Sequence, residues 1–335
     1  MAPSSNILIL RNDRLGDVIL TLPVVPALHK RHPDARIHFL TSHAVAPLLH
    51  QIDGIDKVIP SEADDARSVI SELKSLQIDS AYCLRPTYAN AIALKRANIP
   101  HQVGTSRRWY SYLFNKRVNV SRKFSGSHEA DLNLITCGFD KDVSEYPFPK
   151  VRQSDDVIRN TKELLLKEKL VPDQKYFIVH PGSGGSARDW SVNYFRDFAI
   201  GFSKQTNWQC VVTGSVSEVK KVSAVAGEKF VNLAGKTDLL TLTALLGQAR
   251  FAISNSTGPL HLAHLLGTKV LGLYPPVPNC TPDRWGPYRA PESAMMPNLP
   301  MCSQCTPSKS SLCTCMEQLT VEEVLDRACQ LIEDE

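Results

Sequence analysis

The chain is predicted to be an α/β protein made of two Rossmann-like domains facing one another across a cleft. Three observations predict it. Short apolar runs that suit buried strands alternate with segments of helical period, and this alternation occurs twice along the 335 residues. A stretch of mixed charge bearing Gly138, Pro147 and Pro149, residues 138–154, separates the two series and reads as a linker. Glycines and hydroxyl residues cluster where the predicted strands end, which is where open parallel sheets bind ligands. The expected domains are residues 1–154 and 155–318, with a last helix in 319–335 that could pack back on the first domain.

In the first series Asn6–Leu10 reads as a buried strand. A helical pattern follows from Leu15 to Lys30, and Pro23 and Pro26 predict a turn or kink before its regular part. Further strands are expected at 36–40, 57–59, 79–84 and 101–103, and helices at 45–51, 66–76, 89–97 and 129–137. The second series runs helix 155–169, strand 176–180, helix 192–204 with Ser191 as its N-cap, strand 209–213 and helix 217–226. It continues through strand 230–233, helix 239–248, strand 251–254, helix 259–266 and strand 269–274. Residues 275–300 are Pro-rich and read as irregular, and a helix over 321–332 closes the chain.

Composition narrows the function classes. A hydrophobic content of 43% with 21% charged residues belongs to a globular protein, and a net charge of +4 is too small by itself to argue for nucleic acid. No run of 18 apolar residues exists, and Arg11, Asp13, Arg14 and Asp17 break the N-terminal apolar stretch, so neither a membrane span nor a signal peptide is expected. A cytoplasmic protein with reduced thiols follows as the expectation, and nine cysteines in such a protein do not form a disulfide framework.

Four loops carry the chemistry. The first, His180-Pro181-Gly182-Ser183-Gly184-Gly185, joins a strand to a helix; its glycines let the backbone approach a phosphate, and Arg188 can add a charged bond. The second, Ser254 to His261, places Ser256, Thr257 and Gly258 at a helix start, with Pro259 where a missing N–H costs nothing. His261 lies in that first turn, as a packed residue or a contact to the ligand. A third turn, Thr213-Gly214-Ser215 followed by Glu218, suits a ribose or base. Together they make a nucleotide diphosphate the natural ligand, while the absence of GxGxxG and GxxxxGK[ST] disfavours a dehydrogenase or an NTPase. In the first domain the loop Arg11 to Asp17 follows the first strand. Gly16 permits close approach, and the Asp17 carboxylate either caps a helix or takes a proton from an attacking hydroxyl.

From Ser80 to His128 there is no acidic residue. The stretch holds Arg85, Arg107, Arg108, Lys116 and Arg117 among its basic residues, interleaved with Trp109, Tyr110, Tyr112, Leu113 and Phe114. It is either a solvated face or a surface for an anionic acceptor or an acidic membrane; no nucleic-acid-binding motif accompanies it.

Taken in order, Gly16-Asp17-x-x-x-Thr21-x-Pro23, His180-Pro181-Gly182-Ser183, Trp190, Asn232 to Thr237 and Ser256 to Ala263 resemble the heptosyltransferases of glycosyltransferase family 9. The resemblance implies a GT-B fold in which the first domain binds the acceptor and the second the nucleotide sugar. It implies inverting transfer from ADP-L-glycero-β-D-manno-heptose to the inner core of lipopolysaccharide, Kdo-lipid A or its heptosylated form. Asp17 matches the family's base. Arg188 matches a segment that usually carries a lysine for the diphosphate. Residues 256–261 match the pyrophosphate loop, and Ala234, Gly235 and Lys236 lie in the segment near the nucleoside. Two departures stand out: Ser256 replaces an aspartate, and Arg188-Asp189-Trp190-Ser191 replaces the lysine and the Trp-Pro pair. No cofactor is expected for the chemistry, and dependence on a divalent cation is left open. Cys302, Cys305, Cys313 and Cys315 could hold a structural zinc or iron, or form a reduced loop. The expected partners are thus a nucleotide-sugar donor, an anionic lipid-linked glycan and, transiently, the inner-membrane surface. The alternatives are a transferase using another nucleotide sugar, a sugar-nucleotide epimerase, and a relative that has lost the chemistry.

Overall fold

The computed structural model describes residues 5–61, 68–122, 126–139, 146–171, 174–185, 188–302 and 314–333. The chain divides into two compact units, Met1–Arg152 and Gln153–Glu335.

In the first unit six strands form one sheet: β1 (Asn6–Leu10), β2 (Arg36–Thr41), β3 (Lys57–Pro60), β4 (Ser80–Cys83), β5 (His101–Thr105) and β6 (Lys116–Val118). All pairs are parallel, in the order β3-β2-β1-β4-β5-β6. The reversal of strand order between β1 and β4 opens a crevice at their carboxyl ends, the ligand position of such sheets. The prolines act as expected: helix Leu15–Ile19 ends, a turn follows, and a second helix starts at Val24 and runs to Arg31. Leu8 and Leu10 of β1 meet Ala81 and Cys83 of β4 in a core closed by Leu73, Ala91, Leu94 and Phe114.

The second unit repeats the plan with β7 (Tyr176–His180), β8 (Gln209–Val212), β9 (Val231–Asn232), β10 (Phe251–Asn255), β11 (Lys269–Leu273) and β12 (Ala294–Met295). The order β12-β11-β10-β7-β8-β9 is the same topology, with its switch point between β7 and β10. Phe195, Phe198, Ala199 and Phe202 recur at helical spacing along Val192–Thr206, so one stripe is buried and meets Phe177 and Phe251. Asn207, in the left-handed conformation with φ 57°, ends that helix.

One expectation needs correction. Residues 275–300 are not wholly irregular, since Ala294–Met295 supplies the edge strand β12 beside β11. The closing helix, Val321–Glu333, buries its apolar face within the second unit. Val324, Ala328 and Leu331 are buried in the core of the second unit, where the helix packs against Val192–Thr206.

Candidate active site

In the second unit the predicted donor residues all follow strands at the carboxyl edge. Ser183 and Gly184 follow β7; Thr213, Gly214 and Glu218 follow β8; Ala234, Gly235 and Lys236 follow β9; Ser256, Thr257, Gly258 and His261 follow β10. Gly184 and Gly185 sit at φ 55° and 74°, a region that side chains with a Cβ avoid, so this turn requires glycine. Gly182 is required for another reason: a Cβ there would fall 1.7 Å from Glu218 Oε1. Glu218 accepts from the Ser215 amide at 2.9 Å and hydroxyl at 2.8 Å, closing a capping box, and from the Gly184 amide at 3.4 Å. Burial works against this carboxylate, but the bonds from Ser215 outweigh it and hold its pKa below the usual range. Glu218 therefore ties the loop after β7 to the turn after β8. Gly235 extends the chain of ties by donating its amide to the Gly214 carbonyl at 2.9 Å. The Lys236 ammonium is engaged by Glu168 at 2.6 Å.

Asn255, which sequence reasoning did not single out, fastens both ends of the phosphate-type loop to β10. Its amide group donates to the Pro181 carbonyl at 2.8 Å, and its carbonyl accepts the Trp190 amide at 2.9 Å. The only hint was its place one residue before a hydroxyl–glycine turn. Thr257 is the N-cap of helix Gly258–Leu265 and makes no side-chain cap bond, and Pro259 stands in the first turn, where an N–H would have no partner within the helix. Arg188 is partly buried, and the neighbouring Asp189 is ion-paired with Lys221. His180 is buried with Nδ1 3.0 Å from Thr213 Oγ1, and burial pushes its pKa down to about 4, so the ring is neutral near pH 7.

In the first unit the switch point is built around Arg11, which is only 4% exposed. Its Nε donates to Asp13 at 2.9 Å, its Nη2 to Asp17, and its Nη1 to the Leu84 carbonyl at 3.0 Å and Glu129 at 3.3 Å. Glu129 is fully enclosed and also pairs with Arg122, whose Nη2 donates to Asn133 Oδ1 at 2.9 Å. Burial disfavours the Arg11 cation, yet Asp13 and Asp17 outweigh it and raise its pKa. The Asp13 carboxyl is pushed up by burial, more than Arg11 pulls it back. Asp17 is not a helix cap: Arg14 holds that position, and Asp17 lies in the first turn beside Gly16 with 21% of its side chain exposed. The Asp17 carboxylate is thus partly exposed and held by a buried guanidinium. Arg11, Glu129 and Asn133 were missed because their meeting spans over 110 residues; only the buried strand end hinted at it.

The predicted acceptor residues separate into two groups. Arg85 joins the Arg11 cluster, donating to the Asn12 carbonyl at 2.8 Å. Arg107 and Arg108 lie exposed in the loop after β5, and Lys116 and Arg117 lie exposed on the edge strand β6. Of the four clustered cysteines, Cys305 and Cys313 lie outside the described residues, Cys302 is partly exposed and Cys315 is packed in the second core. Among the described residues no group of three or more His, Cys, Asp or Glu is placed to hold a metal ion.

The family model described as glycosyltransferase family 9 (heptosyltransferase) matches residues 66–315. The chain belongs to glycosyltransferase family 9. It is a glycosyltransferase of that family, and membership implies a nucleotide-sugar donor and a glycan acceptor. Lipooligosaccharide heptosyltransferase 2 of Campylobacter jejuni is 23% identical over 339 residues, covering 96% of each chain. Among solved structures, a family 9 glycosyl transferase from Veillonella parvula superposes with a TM-score of 0.82 at 20% identity, covering 100% of this chain and 99% of that one. The Escherichia coli ADP-heptose lps heptosyltransferase II does so with a TM-score of 0.81 at 20% identity, covering 98% of each. The family 9 fold is thus the GT-B class that the sequence predicts. No described helix is long and apolar enough to cross a membrane.

Proposed function

We propose that the protein transfers a heptose from ADP-heptose, with inversion, to an anionic lipid-linked glycan of the lipopolysaccharide inner core. The observation that carries this reading is the Asp17 carboxylate, presented at the switch point of the first sheet on a buried Arg11. Asp17 takes the proton of the acceptor hydroxyl as its oxygen attacks the anomeric carbon. The bond from that carbon to the diphosphate breaks, and ADP leaves with the electron pair. The loops after β7 and β10 hold the diphosphate through the Ser183 and Gly184 backbone, Arg188, and the helix start at Thr257 and Gly258. Thr213, Gly214, Ala234 and Gly235 line the turns suited to the nucleoside, with Glu218 shaping them. Ser256, His261 and Lys236 remain contacts of the donor in this reading. Arg85, Arg107, Arg108, Lys116 and Arg117 supply the positive field for an acceptor bearing carboxylates and phosphates. The metal proposed for the cysteine cluster would be structural. Supporting the donor and acceptor are the family membership and the name of the Campylobacter relative.

The test is direct. Asp17→Asn should lower kcat for transfer from ADP-heptose to Kdo-lipid A by a factor on the order of 10²–10⁴ while ADP affinity stays the same. Full transfer activity in that variant would remove Asp17 as base. No transfer by the unaltered protein from ADP-heptose, with transfer from another nucleotide sugar, would change the donor.

A further inference from the structure

Among the described residues, three aromatic side chains of the first unit stand exposed. Trp109, Tyr112 and Tyr88 are 74%, 65% and 46% exposed, while Tyr110 and Phe114 of the same stretch are buried. The sequence shows five aromatic or large apolar residues within the six positions 109–114; the structure turns Tyr110 and Phe114 inward as anchors and Trp109 and Tyr112 outward, with Leu113 half-buried between them. Tyr110 donates its hydroxyl to the Pro86 carbonyl, and Phe114 packs so closely over Gly104 that a Cβ there would lie 2.5 Å from its ring. These anchors fix the loop to the sheet. On its outer side Trp109 stacks on Tyr88 with centroids 5.2 Å apart, and Tyr110 stands edge-on to both, at 5.4 and 5.9 Å. The aromatic pair is therefore held in place rather than swinging free in water.

The charged residues of this stretch have one sign. Arg107 and Arg108 adjoin Trp109 and are exposed, and the Arg107 guanidinium is steadied by a neutral partner, Asn119 Oδ1, at 3.2 Å. No acidic residue occurs between Ser80 and His128. Rigid indole and phenol rings beside guanidiniums match a surface that is apolar beneath and negatively charged above, which is the headgroup layer of an acidic bilayer. A soluble glycan would satisfy the cations but leave a mostly exposed indole and a phenol on a fixed platform without an apolar counterpart.

We propose that the loop 106–115, with Tyr88, docks the protein on a bilayer containing acidic phospholipids, Trp109 and Tyr112 seated at headgroup depth and Arg107 and Arg108 on lipid phosphates. The proposal extends the reading of a lipid-linked acceptor to the surface that carries such an acceptor, and it is tested without donor or acceptor. The full chain is sedimented with phosphatidylcholine vesicles and with vesicles containing about a third phosphatidylglycerol. Binding at least tenfold tighter to the acidic vesicles is expected. Trp109→Ser with Tyr112→Ser should weaken that binding about tenfold or more, with an unchanged melting temperature. Arg107→Gln with Arg108→Gln should weaken it by about fivefold per charge and abolish the preference for acidic lipid. Failure of the unaltered protein to bind acidic vesicles, or equal binding by the Trp109 and Tyr112 variant, overturns the proposal. So does unchanged vesicle binding by that variant with conversion of a dimer to a monomer in sedimentation velocity, which would make the surface a contact between copies. With a deacylated, water-soluble acceptor the same variant should keep its transfer rate, so loss of docking and loss of the transferase reading give different results.

Discussion

At the scale of single residues, burial decides what the charged and titratable groups can do. His180 was legible only as the strand residue before a glycine loop; its enclosure against Thr213 comes from β8 and β10, remote in sequence. The enclosed ring has a pKa of about 4 against 6.5 in an unfolded chain. Above pH 6.5 both states are neutral and the ring contributes no pH dependence. As pH falls from 6.5 toward 4 the unfolded chain takes up the proton and the native state does not, so stability drops, by about 3 kcal/mol in all, and levels off below. His180→Gln should remove that component from urea unfolding measured between pH 7 and 4. An identical slope in the variant would assign the acid sensitivity elsewhere. Arg11 shows the other outcome of burial: its charge survives because three carboxylates surround it, a grouping no local pattern could announce.

At the scale of elements, the strands that sequence period identified best are those buried on both faces. β7, β1 and β10 are continuous apolar runs, and their limits match to within a residue. Of the four edge strands, β3 and β9 were legible, and β6 and β12 escaped it. Lys116–Val118 carries two exposed basic residues, and Ala294–Met295 is two residues long inside a Pro-rich region, so neither has the apolar run of a central strand. The glycine loop after β7 was visible from composition, but its fastening by Glu218 and Asn255 was not, because each partner belongs to another element. Gly182→Ala tests that fastening. The added methyl would sit 1.7 Å from Glu218 Oε1, so the carboxylate must leave and release the Ser215 and Gly184 amides. Loss of one or two such bonds should weaken ADP binding about tenfold by calorimetry. An unaltered affinity would mean that the loop's shape does not depend on Glu218.

At the scale of the whole molecule, the duplicated strand order was implied by the twofold alternation of patterns along the chain, whereas the lodging of the last helix was not. An amphipathic segment states that one face must be buried but not against what. Here Val324, Ala328 and Leu331 complete the second core, and Leu325 lies against Gly201, where a Cβ would approach its Cδ1 to 2.8 Å. Deleting residues 319–335 removes burial worth on the order of 5 kcal/mol, much of what holds a domain together. Hydrogen exchange should then show loss of protection in β7 to β11 with β1 to β5 unchanged. Equal loss in both units would show that the two stand or fall together.

The four tryptophans are unequally placed: Trp190 is sealed in a core, Trp208 and Trp285 are half-covered, and Trp109 stands in water. Native fluorescence therefore holds one red-shifted component open to collision with iodide, an anion that Arg107 and Arg108 would concentrate beside the indole. Dynamic quenching of the unlabelled protein is in effect a spectroscopic readout of this one loop.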